Sequence, residues 1–248
     1  MPRLSLKDID TKAPDSFDKE KIKAETLTII NELDELQNLL YAQSKYSILV
    51  VLQGMDASGK DGVIRDVFGQ MNPQGVSVKS FKVPTEEEFS HDFLWRIHKA
   101  APEKGMIRIF NRSHYEDVLV TRVHRMINDE EARLRMKAIN DFEELLQVHN
   151  NTRIIKFYLH VSPKEQQERL KERIQDPRKQ WKYNEKDFSE AGFLDQYWEV
   201  YEDCFEHCNK VPWSIIPADQ NWYKEYLIAK EFHAVLKSLE MQYPGIKK

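Results

Sequence analysis

The stretch Tyr46-Ser-Ile-Leu-Val-Val-Leu52 is an almost continuously apolar run of strand length. A strand without polar alternation is buried on both faces, as strands of parallel sheets are. Upstream, Ile29, Leu33, Leu36 and Leu40 recur 4, 3 and 4 positions apart, which predicts a helix over 18–43. Downstream, 54–60 breaks the apolar run and 61–71 has helical character. The alternation continues with a strand over 76–81, a helix over 87–100, a strand over 106–110 and helical sequence over 115–150. A fourth strand is expected over 153–161, a fifth over 213–217, and a last helix over 222–239. Strands separated by helices imply βαβ units around a parallel sheet. The expected class is α/β, with a five-stranded parallel sheet flanked by helices.

No internal repeat or linker interrupts the pattern, so 1–248 is expected to form a single domain, with an N-terminal arm and helix over 1–43. The arm proper, 1–17, is polar, carries Pro2 and Pro14, and reads as loose. Pro163 to Ile174 reads as a charged helix, followed by the polar loop Asp176-Pro-Arg-Lys-Gln-Trp-Lys-Tyr183 and a further helix starting near Asp187. Lying between the fourth and fifth strands, 163–187 is expected to form a helical lid over the carboxyl edge of the sheet, where such folds bind ligands.

Composition narrows the function classes. A 248-residue chain with 41% hydrophobic residues can bury a substantial core, which sets disorder aside. A formal net charge of −4 argues against a dedicated nucleic-acid binder but permits a local basic groove. Cys204 and Cys208 flank His207, yet a structural zinc site needs four ligands and no second cluster lies nearby, so helix packing is the expected role. No secretory pattern and no apolar run of about 20 residues is present, so a cytoplasmic protein without a membrane partner is expected.

The chemistry concentrates at the strand ends. Gly54-Met-Asp-Ala-Ser-Gly-Lys60 fits the phosphate-loop spacing G-x-x-x-x-G-K. Its glycines let the backbone curl until N–H groups converge on phosphate oxygens, and the following helix start adds partial positive charge. Lys60 can neutralise an outer phosphate, with Gly54, Ala57, Ser58, Gly59 and Asp61 completing the cradle. A plain strand-to-helix turn is the bland alternative. Asp61 stands where such loops ordinarily carry Ser or Thr, and Asp56 lies inside the loop. Carboxylates beside a phosphate nest repel the ligand unless a cation lies between them. Mg²⁺, with Mn²⁺ as the alternative, is therefore the expected cofactor, Asp56 its leading ligand and Asp61 a second. A helix-start charge favoured by the dipole explains Asp61 equally well.

Past the third strand comes Asn111-Arg-Ser-His-Tyr-Glu-Asp117. In many P-loop enzymes an acidic residue ends this strand and helps hold magnesium; here Asn111 occupies the point, with Glu116 and Asp117 following. The planar fork of Arg112 suits a phosphate, whereas an exposed helix start capped by Ser113 would be a purely structural account. Lys82 and Thr85 end the second strand on the same edge, although a surface lysine is usually only solvated. On the lid helix, Arg169, Lys171 and Arg173 can pair with Glu165, Glu168 and Glu172 in solvated i, i+4 fashion. Arg178, Lys179 and Lys182 in the loop are less easily explained that way. The guanine-reading Asn-Lys-x-Asp is missing, since Asn209-Lys210 runs into Val211-Pro212, which argues against a GTPase. Together these features point to a Mg²⁺-dependent P-loop phosphotransferase acting on a nucleotide.

Several blocks resemble the polyphosphate kinase 2 family: Gly-Met-Asp-Ala-Ser-Gly-Lys-Asp-Gly (54–62), Ser-Phe-Lys-Val-Pro-Thr (80–85), His-Asp-Phe-Leu-Trp-Arg (91–96) and Phe-Asn-Arg-Ser-His-Tyr-Glu-Asp-Val-Leu-Val (110–120). Asp-Pro-Arg-Lys-Gln-Trp-Lys (176–182) and Ile-Pro-Ala-Asp (216–219) extend the likeness over roughly 30–235. The form around His114 is similar to the class III branch, whereas other branches carry Trp there. The resemblance implies a P-loop kinase fold with a lid, and phosphate transfer from inorganic polyphosphate to AMP and ADP, giving ADP and ATP, with guanine nucleotides as further acceptors. It implies Asp56 and Lys60 as a catalytic pair, Arg112 as a phosphate clamp, Arg173 and Lys179 as lid contacts, and Glu116 at a point where the branches differ. It also implies a homodimer or homotetramer. An ATP-dependent kinase of the thymidylate-kinase type and a nucleotide sensor without turnover are the competing readings.

Overall fold

The computed structural model describes residues 4–246. Five strands, β1 (Ser47–Gln53), β2 (Val76–Ser80), β3 (Ile107–Asn111), β4 (Thr152–His160) and β5 (Trp213–Pro217), form one parallel sheet in the order β2-β3-β1-β4-β5. Each lies within two residues of its expected ends. Every residue of β1 is buried, because the strand is flanked by β3 and β4 in the sheet and covered by helices on both faces. The apolar run that predicted it follows from that position.

The helices are α1 (Lys19–Gln43), α2 (Lys60–Val63), α3 (Glu86–Phe89), α4 (Trp95–His98), α5 (Glu116–Val123), α6 (Asp129–Asn150), α7 (Pro163–Gln175), α8 (Glu185–Ala191), α9 (Leu194–His207) and α10 (Asn221–Lys237). The Asp18 side chain caps α1 by accepting from the Glu20 and Lys21 amides. The stripe Ile29, Leu33 and Leu40 is buried, and α1 packs along α10. Cys204 and Cys208 both lie in the core, at and just past the end of α9.

Three expectations are corrected. The helix over 87–100 is two short helices, because a Thr85–Glu88 capping box starts α3 early and the Asp92 side chain accepts from the Leu94 amide before α4. Helical sequence over 115–150 is interrupted where Arg125 takes φ 56° and the Asn128 side chain caps a new helix. The helical character expected over 61–71 holds as far as Phe68, as the single turn of α2 running into a π-helical stretch, Ile64–Phe68. The described part of the arm is not loose: Leu6 is buried in the core, and the Leu6 amide donates to Glu202 (2.8 Å). Thr11 Oγ1 donates to Asp219 Oδ2 (2.9 Å), and the Ala13 amide to Gln220 Oε1 (2.8 Å). The apolar Leu6 and Ile9, diluted among polar neighbours, provide the burial that polarity hides.

Beneath the exit of β3 lies a fully buried polar network. Lys156 on β4 spends all three donors, on Tyr115 Oη (2.8 Å), Glu143 Oε2 (2.9 Å) and the Cys208 carbonyl (2.9 Å). The same Glu143 carboxylate meets His114 Nε2 at 3.2 Å. Burial acts to lift the Glu143 carboxyl, but His114 and Lys156 hold it below its ordinary range. Breaking one partner of such a pair strands the other as a buried charge. Replacing Glu143 with Leu is expected to lower unfolding free energy by about 3–5 kcal/mol, measured as a fall in urea midpoint; an unchanged midpoint would contradict it.

Candidate active site

At the end of β1 the chain must reverse into α2 without blocking the space above the sheet. Gly54 (φ 144°), Ala57 (φ 63°) and Gly59 (φ 98°) make that turn. A Cβ on Gly54 would lie 2.8 Å from the Leu159 carbonyl, so conformation and space both require glycine there; at Gly59 the positive φ is the reason, since the Lys224 Nζ that a Cβ would meet at 2.2 Å ends a flexible side chain. Ser58 is buried within the loop. Lys60 is 8% exposed, and its Nζ bridges the Gly54 (2.7 Å) and Met55 (3.1 Å) carbonyls.

The β3–α5 turn brings the second set of groups to the same place. Asp56 Oδ1 accepts from Arg112 Nη2, while Arg112 Nη1 donates to Glu116 Oε2 (3.3 Å), so one guanidinium joins two carboxylates. Arg112 adopts φ 63°, uncommon for a bulky residue. Ser113 is buried rather than an exposed cap; its hydroxyl lies 2.9 Å from the Gln53 amide and accepts from the Tyr115 amide (3.2 Å). Asp61, at the start of α2, accepts from Asn111 Nδ2 (3.0 Å) and Lys182 Nζ (2.8 Å).

These groups tune one another. Burial acts to raise the Asp56 carboxyl, yet Arg112 and Lys60 overcome it and keep it below the ordinary carboxylate range. Asp61 is held low in the same manner, with Lys182 and Asn111 outweighing burial. Burial and the neighbouring Arg112 push the Lys60 ammonium down to about 8. On Glu116 burial wins over Arg112 and Lys60, and its carboxyl is raised. Glu116 and Asp56 in turn keep Arg112 firmly charged.

Helix α7, the 176–184 loop and α8 lie between β4 and α9, where the lid was expected. The lid cations have separate partners. Lys182 reaches Asp61 on the phosphate loop; Arg173 pairs with Asp187, Arg178 with Asp176 and Lys179 with Glu172, all inside the lid. Arg173 nonetheless lies near enough for its charge to lower the Asp56 carboxyl. The Lys82 side chain is exposed at the exit of β2, and its carbonyl accepts from the buried Arg96 (2.8 Å).

Sequence reasoning missed three residues. Arg96 also pairs with Asp117 (3.3 Å) and so links the β2 exit to α5. Arg169 and Lys224 approach the phosphate loop from behind. The Arg169–Glu165 pair at i, i+4 (2.8 Å) resembled ordinary surface pairing. Lys224 had a readable signal, since it heads the row Ile228, Phe232 and Leu236 on the core face of α10.

A central buried strand ending in a phosphate loop, this strand order and a helical lid define a P-loop kinase fold. The chain belongs to the polyphosphate kinase 2 family, whose model matches residues 16–245. It is 45% identical over 246 residues to the AMP/ADP-polyphosphate phosphotransferase of Meiothermus ruber, covering 98% of this chain and 92% of that protein. It is 41% identical over 231 residues to the ADP-polyphosphate phosphotransferase of Rhodopseudomonas palustris, covering 88% and 80%. The crystal structure of polyphosphate kinase 2 from Arthrobacter aurescens superposes with a TM-score of 0.95 at 38% identity, covering 100% of this chain and 90% of that one.

The partly buried Arg173–Asp187 pair ties α7 to α8, whereas Lys182–Asp61 is more exposed and correspondingly weaker. Arg173→Ala is expected to speed tryptic cleavage within 176–184 by about ten-fold, and Asp61→Ala by no more than about five-fold. Equal rates in both variants would contradict this ranking.

Proposed function

We propose that this protein is a polyphosphate-dependent nucleotide phosphotransferase, transferring phosphate from inorganic polyphosphate to AMP and ADP to give ADP and ATP. The observation that carries the reading is the meeting of Asp56, Lys60, Arg112 and Glu116 at the mouth of the phosphate loop, in a chain of this family. The names of the two relatives, an AMP/ADP- and an ADP-polyphosphate phosphotransferase, support AMP and ADP as acceptors.

Asp56 and Asp61 supply charged oxygen donors, which suits Mg²⁺, a hard cation bound by one or two carboxylates together with phosphate oxygens. Mn²⁺ is the alternative. Held by Asp56 and Asp61, such a metal would supply positive charge to offset that of the phosphates. Among the described residues no cluster of three or more His, Cys, Asp or Glu side chains is preassembled for a metal.

In the proposed reaction a terminal phosphate oxygen of the acceptor attacks the end phosphorus of polyphosphate in line. The bond from that phosphorus to its bridging oxygen breaks, and the shortened chain leaves with the electron pair. Loop amides and Lys60 hold the transferring group. Arg112 has an unused N–H on each Nη with which to follow the charge spreading over the equatorial oxygens. Asp56 keeps Arg112 aimed at that point, and Glu116 holds its other side. Lys82, Arg178, Lys179 and Lys182 would guide the polyanion, with Arg173 closing over it. We propose further that the protein works in the cytoplasm as a homodimer or homotetramer, and that guanine nucleotides are additional acceptors.

The test is nucleotide product formation from AMP and from ADP with polyphosphate and Mg²⁺, with each component omitted in turn. Polyphosphate-dependent product from both acceptors is expected; transfer from ATP alone would sink the reading. Asp56→Ala and Lys60→Ala should each lower turnover by about 100-fold or more while the folded protein keeps its unfolding midpoint. Chelation with EDTA should abolish turnover and added Mg²⁺ should restore it, so full activity in EDTA would rule out the metal assignment.

A further inference from the structure

Every carbonyl of the phosphate loop from Gly54 to Gly59 has a side-chain donor approaching it. Lys60 Nζ takes those of Gly54 (2.7 Å) and Met55 (3.1 Å). Gln166 Nε2 on α7 donates to the Asp56 carbonyl (3.1 Å). Arg169 Nη1 donates to Ala57 (3.1 Å) and Ser58 (3.2 Å). Lys224 Nζ on α10 stands 3.5 Å from the Gly59 carbonyl and is fixed by Asn221 Oδ1 (2.8 Å).

Arg169 is the centre of this arrangement. Its remaining donors go to Glu165 Oε1 through Nε (2.8 Å), and through Nη2 to the Ala218 (2.8 Å) and Asp219 (2.9 Å) carbonyls. All five of its N–H groups are thereby spent, so it has none left for a phosphate. It joins the lid helix, the phosphate loop and the turn after β5. Asp219 is itself pinned, accepting from the Ser162 amide (2.8 Å) at the head of α7 and from Thr11 (2.9 Å) in the N-terminal arm.

A peptide whose carbonyl is held on one side directs its N–H to the other. We infer that Arg169, Gln166 and Lys224 are positioning residues that hold the carbonyls of Asp56 to Gly59 outward, keeping the Ala57, Gly59 and Lys60 amides turned toward bound phosphate while the Ser58 amide closes the loop on the Met55 carbonyl (3.1 Å). The inference rests on the assignment of Gly54–Lys60 as the phosphate site. The fork of Arg169 does the spanning, since a lysine offers the same charge from a single point and cannot reach two pairs of carbonyls. A role in charge alone predicts that lysine suffices at 169.

The test compares wild type, Arg169→Lys, Arg169→Gln and Lys224→Met by two readouts. The first is hydrogen exchange, without ligand, of the Ser58 and Val63 amides, which bond to the Met55 (3.1 Å) and Gly59 (3.2 Å) carbonyls. The second is affinity for inorganic tripolyphosphate with Mg²⁺, measured by calorimetry. Arg169→Lys should behave like Arg169→Gln, with exchange at both amides about ten-fold faster, β1 amides unchanged, and affinity about ten-fold weaker. Lys224→Met should loosen Val63 most; should that variant not fold, Arg169→Lys alone decides. Wild-type exchange or wild-type affinity in Arg169→Lys would overturn the inference. Failure of the wild type itself to bind tripolyphosphate would count against the phosphotransfer reading, leaving the positioning role to stand or fall on amide exchange.

Discussion

A phosphate loop works by pointing several backbone amides at one place, and this can hold only if the matching carbonyls are satisfied elsewhere. In this protein the two halves of that constraint are met by different parts of the chain. The glycines at 54 and 59 provide the curvature through their positive φ, and at 54 the Leu159 backbone also leaves no room for a side chain. The outward carbonyls are met by Lys60 within the loop and by Gln166, Arg169 and Lys224 from α7 and α10. Those helices follow β4 and β5, so the order of strands in the sheet decides which side chains can reach the loop. The fold and the site are therefore one problem. The sheet places β1 at the centre, and elements flanking β4 and β5 support what β1 leads into.

The electrostatics of the loop mouth follow from the same crowding. Asp56, Lys60, Arg112 and Glu116 meet in a partly buried space, where burial acts to raise both carboxyls and to lower the lysine. Mutual pairing prevents that for Asp56, and Arg112 stays charged between two acids. Glu116, the deeper carboxylate, is the one on which burial prevails. The lid shows the same economy, with its cations held by its own acids while Lys182 reaches across to Asp61.

Behind Arg112 the β3–α5 turn is braced rather than merely connected. His114 and Tyr115 belong to the Lys156–Glu143 network, and Ser113 is fixed by Gln53 and the Tyr115 amide. Of these four consecutive residues only Arg112 lies at the partly exposed loop mouth, and Ser113, His114 and Tyr115 are buried. This gives a physical reason for the left-handed backbone at Arg112, since Ser113, His114 and Tyr115 are all held beneath it.

The local pattern determined a good deal unaided. Strand positions were readable because burial on both faces writes itself as unbroken apolar runs, most plainly in β1. The phosphate loop was readable because glycine is needed where the backbone is left-handed and crowded. Asp56, Arg112 and Asp61 were noticeable because charges at strand ends, on the ligand edge of a sheet, have few structural uses. What stayed hidden depended on distant partners. The arm looked loose because one buried residue, Leu6, and one partly buried, Ile9, carry no periodicity in a polar stretch. The breaks after α3 and α5 came from side-chain caps stronger than the helical pattern they interrupt. Arg169 matched a surface pair with Glu165, and only the tertiary structure set it against Ala57, Ser58, Ala218 and Asp219 at once. Helix period and strand alternation are properties of neighbours along the chain. Which cation meets which carbonyl, across separations above 100 residues for Arg169 and Ala57, is decided only when the sheet brings its strands side by side.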